Sequence, residues 1–330
     1  MTKPQMPNAM ASLTILVSSA GRRVELLEAF RDSARQLGIG LTVLATDVSP
    51  ELSAACQRAD RCFAVPRADS AEFAPATLRI CREHHVNLVI PTIDTELLAL
   101  SQASEAFAAV GARIAVSSPD FVSIARDKLA TAVALEKAGL PTPQTATLDE
   151  VRTSPAAWQW PAMVKPRHGS AGRSISVAAT VDALPRAEAE PLIVQQLLIG
   201  AEYTINMFFD ETGRARCVIP HRRMQVRAGE VEKGVTERRA DLCALGWRIA
   251  EHFTGVRGVI CFQAIVDESG PSIFEINARF GGGYPLAHQA GAQFARWLLE
   301  EAAGLPVSAH DAWRDGVVML RYDAAAFLEP

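Results

Sequence analysis

Ser272-Ile-Phe-Glu-Ile-Asn-Ala-Arg-Phe-Gly-Gly-Gly283 decides the reading of this 330-residue chain. It opens as a β-strand, whose two-residue period puts Ile273, Glu275 and Asn277 on one face and Phe274 and Ile276 on the other. One face therefore carries a carboxylate and a carboxamide two residues apart. Arg279 follows, and then the glycines Gly281 to Gly283. Hard oxygen ligands on a rigid strand suit Mg²⁺, and a neighbouring arginine suits a phosphate. The same pattern also describes an edge strand with a solvated polar face that runs into a loop.

Upstream, Gly258 to Val266 reads as a strand and Asp267-Glu268-Ser269-Gly270 as a turn. Antiparallel pairing with Val266 opposite Ser272 sets Gln263 directly opposite Glu275. Gln263, Glu275 and Asn277 then form one cluster of oxygen ligands, which a one-residue slip would disperse. Further upstream, Ala162 to Pro166 is a strand carrying Lys165. The loop Gly169 to Ser174, with Gly169, Ser170 and Gly172, offers amides that can close on phosphates, although its spacing is not that of a P-loop. Leu192 to Gln196 is another strand. Its apolar sequel Leu197-Leu198-Ile199, set between Gln195-Gln196 and Glu202, suits an adenine and a ribose. A hairpin signal spans Asp210 to Gly213. His221, Arg222, Arg223, Arg227 and Lys233 then concentrate positive charge.

The first third alternates strands (Leu13 to Ser18, Leu41 to Ala45, Cys62 to Val65, Leu88 to Ile90, Arg113 to Val116) with helices (Val24 to Leu37, Ala71 to His84, Glu96 to Phe107). That alternation implies a mainly parallel sheet covered on both faces, with ligands beyond the carboxyl ends of its strands. Asp47, Asp94 and Glu96 lie there, where Asp47 and Asp94 equally read as helix caps. Ser18-Ser19-Ala20-Gly21-Arg22 is not GxGxxG, so a dinucleotide site has little support.

Composition excludes several classes. A net charge of −4 argues against a nucleic-acid binder that relies on a general basic surface. No apolar run approaches the ~20 residues of a membrane span. Cys56, Cys62, Cys81, Cys217, Cys243 and Cys261 are scattered, with no CxxC pair, as expected of reduced thiols in a cytoplasmic protein. The histidines make no HExxH, so a zinc enzyme is not expected. Residues 1–11 lack an apolar signal core and read as a disordered lead-in.

Taken in order, Lys128, Lys165 with its loop, Gln195-Gln196 with Glu202, Gln263, and Glu275-x-Asn277-x-Arg279 resemble the ATP-grasp superfamily. The similarity is greatest to the branch of the carbamoyl-phosphate synthase large subunit, and it runs from Leu13 onward. The fold class implied is α/β and α+β: an ATP-grasp fold with an N-terminal Rossmann-like pre-ATP-grasp domain over 12–117. A small lid subdomain would follow over 118–200, then a C-terminal subdomain with the metal and phosphate site over 201–330.

The resemblance also implies roles. Lys128 and Lys165 would contact ATP phosphates, with Gly169, Ser170 and Gly172 folded over them. Gln195, Gln196, Leu197 and Leu198 would line the adenine hinge, and Glu202 would bind the ribose. Gln263, Glu275 and Asn277 would hold Mg²⁺, as two ions, with Mn²⁺ as an alternative. Arg279, Lys165 and Arg222 would act on the transferring phosphate and the acceptor. The expected activity is a carboxylate–amine ligase that works through an acyl phosphate on small molecules and releases ADP and phosphate. Bicarbonate or carbamate activation and a non-catalytic ATP-binding subunit are the alternatives, and a homodimer is left open. Gln263 stands where the family often has an acid, so the proposed ligand set has only one charged member.

Overall fold

The computed structural model describes residues 12–169, 174–186 and 190–328. The lead-in 1–11 and the loop residues Ser170 and Gly172 lie outside the described residues. Packing divides the chain into two units, one of residues 12–116 with 293–309 and 323–328, the other of residues 117–292 with 310–322. The stretch 293–309, assigned from sequence to the C-terminal subdomain, packs with the first unit.

In the first unit, β1 (Ser12–Ser18), β2 (Gly40–Asp47), β3 (Arg61–Ala64), β4 (Leu88–Pro91) and β5 (Arg113–Ile114) form a parallel sheet in the order β3-β2-β1-β4-β5. Ile15, Leu16 and Val17 are all fully buried, as a continuous apolar run covered on both faces requires. The single helix expected over 96–107 is two, Asp94–Gln102 and Ser104–Ala108. Strand order reverses between β1 and β4, and the loops beyond both strands converge on the fully buried Glu96. Its carboxylate accepts from Ser18 Oγ (2.7 Å), Ser19 Oγ (2.7 Å), Thr92 N (2.6 Å) and Ile93 N (3.0 Å). Asp47 accepts from Gly21 N at 3.0 Å. Both acids therefore shape loops in this structure.

The second unit holds two antiparallel sheets. The smaller has β6 (Thr145–Thr147), β7 (Ala162–Pro166), β8 (Ser176–Ala178) and β9 (Leu192–Gln196) in the order β6-β9-β7-β8. Ala162, Val164 and Val194 pack with Leu148, Val151 and Trp158 into a core. Alternation then turns Met163 and Lys165 to the opposite face.

The larger sheet has β10 (Ala201–Phe209), β11 (Ala215–Arg227), β12 (Glu230–Thr236), β13 (Gly258–Asp267), β14 (Gly270–Asn277) and β15 (Val318–Leu320), in the order β14-β13-β10-β11-β12-β15. The helix Ala240–His252 packs over β11, with Gly246 against Val218. Val218 pairs with Met207, so this is the apolar face. The other face carries Glu202, Thr204, Asn206, His221 and Arg223. The basic cluster His221 to Arg227 is itself strand, because β11 runs on to Arg227.

The β13–β14 register is only partly as expected. Ser272 pairs with Ile265, and Val266 with Pro271. A bulge between the pairs Ala264–Ile273 and Gln263–Glu275 then inserts Phe274 as an extra residue, which restores Gln263 opposite Glu275. The bulge breaks the expected alternation, so Ile273 is fully buried while Phe274 and Glu275 both line the pocket described below. Among the described residues no helix is long and apolar enough to cross a membrane.

Candidate active site

A cavity of about 270 Å³ opens between the smaller sheet and the polar face of the larger one. Lys128, Lys165, Gly169, Gln195, Gln196, Leu198, Glu202 and Glu275 line it. The other lining residues are mostly apolar, with Met163, Ile175, Ile265 and Phe274 facing the slot. Sequence reasoning missed these four. Met163 and Ile265 were findable, since they sit two residues along a strand from Lys165 and Gln263. Phe274 was hidden by the bulge.

Positive charge gathers on one side. Lys165 is 3% exposed, and its Nζ donates to Gln195 Oε1 at 2.7 Å, while Gln195 Nε2 donates to Thr145 Oγ1 at 2.8 Å. The Lys165 Nζ also lies 5.4 Å from the centre of the Phe274 ring. Burial pulls the Lys165 ammonium down to about 8; nearby Glu275 opposes the shift, and Lys128 adds to it. Lys128 is buried at the first position of the helix Lys128–Lys137, where the macrodipole disfavours a cation. Its Nζ donates to the carbonyl of Gly169. Asp127 caps this helix through Leu129 N (3.0 Å) and Ala130 N (3.1 Å), and holds Arg167 Nε at 2.8 Å. Two lysines are thus held close together by a fold that gains no stability from their proximity.

Negative charge gathers on the other side. Burial pushes the Glu202 carboxyl up, Arg223 opposes this, and Glu275 reinforces it. Glu202 Oε1 receives Gln263 Nε2 at 3.2 Å and pairs with Arg223 Nε at 3.0 Å. With its amide nitrogen so engaged, Gln263 keeps its oxygen for another partner. Asn277 is buried and pairs with Cys261, one row from the Gln263–Glu275 pair. Its Oδ1 accepts from Arg279 Nη2 at 2.9 Å, and Arg279 Nη1 donates to the carbonyl of Phe280 at 3.0 Å. The donor set of one carboxylate and two amide oxygens, beside a second carboxylate, fits a hard divalent cation such as Mg²⁺. Among the described residues no cluster of three or more histidine, cysteine or acidic side chains could hold a metal without other ligands.

The remaining expected residues are placed less centrally. Leu197 is half-buried but does not line the cavity. Gln263, Asn277 and Arg279 border it along the sheet without lining it. Arg222 is exposed and pairs with Tyr203, so it projects from the face opposite His221 and Arg223. Lys233 is likewise exposed. The guanidinium on the cavity's own face is that of Arg223.

The apolar slot, with its paired cations and paired carboxylates, lies between two antiparallel sheets, which is the layout of the ATP-grasp fold. The chain's own sequence agrees. Residues 125–283 match the ATP-grasp domain family, and residues 15–115 match the family described as the PylC-like N-terminal domain. The chain thus carries an ATP-grasp domain behind a PylC-like N-terminal domain, as its motifs indicated.

Solved structures share the fold. One is the biotin carboxylase domain dimer of 2-oxoglutarate carboxylase from Hydrogenobacter thermophilus, solved with MgADP, ADP and bicarbonate. It is 18% identical, with a TM-score of 0.74 over 92% of this chain and 73% of that one. Another is an ADP complex of the N5-carboxyaminoimidazole ribonucleotide synthetase PurK, 17% identical, with a TM-score of 0.73 over 94% of this chain and 82% of that one. A Thermotoga maritima synthetase of the same name is 16% identical, with a TM-score of 0.65 over 92% and 78%. No curated protein sequence matches the chain.

Proposed function

We propose that the protein is an ATP- and Mg²⁺-dependent carboxylate–amine ligase that acts on small molecules through an acyl phosphate. The observation that carries this reading is the polarity of the slot, with Lys128 and Lys165 facing Glu202 and Glu275 across an apolar lining. A nucleoside triphosphate with its cation meets each of these demands at once. Phosphates neutralise the two lysines, the metal neutralises Glu275, and Glu202, already paired with Arg223, is left for the sugar.

In this reading the base lies among Met163, Ile175, Ile265 and Phe274, against the hinge Gln196 to Leu198. Among the described residues both contacts of Glu202 fall on Oε1, which leaves Oε2 for a ribose hydroxyl. Glu275, with the amide oxygens of Gln263 and Asn277, would hold Mg²⁺, or Mn²⁺ in its place, as one or two ions. Bound there, the metal supplies charge neutralisation on the transferring phosphoryl group. The substrate carboxylate oxygen takes the γ-phosphoryl group and ADP leaves. The amine nitrogen then bonds to the acyl carbon, the C–O bond to phosphate breaks, and the amine gives up a proton. Arg279 and Arg223 balance the anionic charge through both steps. No protein nucleophile takes part, so catalysis is positioning and electrostatics.

A second reading, activation of bicarbonate or carbamate, draws on the bicarbonate in the Hydrogenobacter thermophilus structure. The test is phosphate release with ATP and Mg²⁺ across a panel of acids crossed with amines, with and without bicarbonate. The ligase reading requires release that depends on both an acid and an amine. Release with bicarbonate and no organic acid transfers the assignment to the second reading. Glu275→Gln should reduce turnover by about 10²-fold or more while the fold is retained. A variant as active as the wild type would refute the assigned metal set.

A further inference from the structure

The polar face of the larger sheet continues past the cavity to two side chains that the proposed chemistry leaves unused. His221 and Asn206 are both fully buried. Asn206 Nδ2 lies 3.2 Å from His221 Nδ1, so the amide donates to that nitrogen and leaves the imidazole proton on Nε2. Among the described residues, His221 Nε2 and Asn206 Oδ1 have no hydrogen-bond partner. An orphaned donor thus stands beside an orphaned acceptor, and each costs free energy until it is paired.

What covers the pair is the glycine turn that follows Arg279. A Cβ on Gly283 would lie 2.5 Å from His221 Nε2, and one on Gly281 would lie 3.5 Å from Asn206 Oδ1. A peptide unit carries one acceptor and one donor, which is the complement of this pair. The carbonyls of Gly281, Gly282 and Gly283 already accept from Tyr284 N (3.1 Å), Arg321 Nη2 (2.7 Å) and Leu286 N (3.1 Å), so His221 would use a carbonyl's second lone pair. Arg279 and the turn are joined by a few residues of chain, and Arg279 also bonds the Phe280 carbonyl just before the glycines. A small inward movement of the turn would therefore pair the orphans and re-aim the guanidinium together.

We propose that His221 is a positioning residue, fixed by Asn206 as the Nε2–H tautomer, which captures a peptide of the Gly281–Gly283 turn when Arg279 takes up an anion. This rests on the ligase reading for the identity of that anion. The tautomer matters because an Nδ1–H imidazole would offer no donor to the turn. A charged imidazolium is disfavoured, since burial and Arg223 pull the His221 pKa down to about 3. The charged or titratable groups on this side of the elements packed around it are Arg223 on its own strand, Glu202 on β10, Glu230 on β12, Arg279 in the turn, Tyr284 and His288 on the helix Tyr284–Gln289, and Arg321 after β15, which bonds Glu230 and the Gly282 carbonyl.

The test is amide hydrogen exchange across residues 280–284 of the full chain, before and after addition of MgADP with inorganic phosphate. In the wild type, exchange should slow about tenfold on addition, in keeping with newly formed hydrogen bonds. The effect should vanish in His221→Phe and return in His221→Gln, whose amide nitrogen can reach the position of Nε2. Equal slowing in His221→Phe would overturn the proposal. So would an Nδ1–H signal for His221 in ¹⁵N-histidine NMR spectra of the wild type. In Asn206→Asp a carboxylate faces Nδ1, so His221 should titrate between about pH 5 and pH 8, where the wild type does not. An absence of titration there would also count against the tautomer lock. Because these readouts need no turnover, a chain that releases no phosphate with any acid and amine would refute the ligase reading separately.

Discussion

On the proposed reading, the depressed ammonium of Lys165 should make nucleotide binding a proton-uptake reaction. With the value at about 8, roughly one Lys165 in ten is neutral at pH 7, about half at pH 8 and about nine in ten at pH 9. The shift arises chiefly from burial, and a phosphate beside the ammonium restores the charged form. Binding of MgADP should then take up about half a proton at pH 8 and most of one at pH 9. Nucleotide phosphates are fully ionised over this range and contribute little. Titration calorimetry in buffers of different ionisation enthalpy measures the uptake directly. Affinity should weaken by up to about tenfold per pH unit above pH 9. Uptake that is absent at pH 9, or undiminished in Lys165→Met, would refute the argument.

The same shift makes a stability prediction with a definite sign. A base whose folded pKa is lowered opposes folding wherever it is charged in both states, here below about pH 8. Stability of the free protein should therefore rise between about pH 8 and the ordinary 10.5, by about 3 kcal/mol from this group. At pH 7 Lys165→Met should be more stable than the wild type without nucleotide, yet bind nucleotide more weakly. That combination would mark a residue kept for function at the expense of the fold.

Two further outcomes follow from contacts around the site. Gly283→Ala places a methyl group 2.5 Å from His221 Nε2 and should cost about 1–3 kcal/mol in urea denaturation, with much of the loss recovered when His221→Ala is added. Asp127→Asn should cost about 1–2 kcal/mol at pH 7, since Asp127 both caps the helix Lys128–Lys137 and holds Arg167. Burial raises the Asp127 carboxyl, but Arg167 and the cap amides outweigh it and leave the value lowered. The stability difference should therefore persist above the ordinary 3.8 and disappear as pH falls through the folded value.

The motifs that announced the site were legible because they lie at strand positions where a two-residue period fixes the face. Lys165, Gln195, Glu202 and Gln263 could each be assigned a side from alternation alone, and all lie along one cavity or its border. Legibility failed where a long-range contact overrides the period. The Phe274 bulge depends on how β14 meets β13, and no local feature of Ser272 to Asn277 announces it. Arg222 and Arg223 are indistinguishable as neighbouring cations in sequence. Only the length of β11 reveals that one faces Tyr203 and solvent while the other pairs with Glu202. Asn206 lacked any signal except its place four residues after Glu202, and His221 stood out only as one member of a basic cluster. The glycines carry the last step. In sequence, Gly281 to Gly283 stood as the glycine run that follows Arg279. In the structure the closest approach is to a buried imidazole, and the turn that holds Arg279 rests on a hydrogen-bonding pair with no chemistry of its own. The candidate ligand side chains Gln263 and Glu275 are thus set on paired strands, while Arg279 is set just beyond the strand, at the turn that packs on that imidazole.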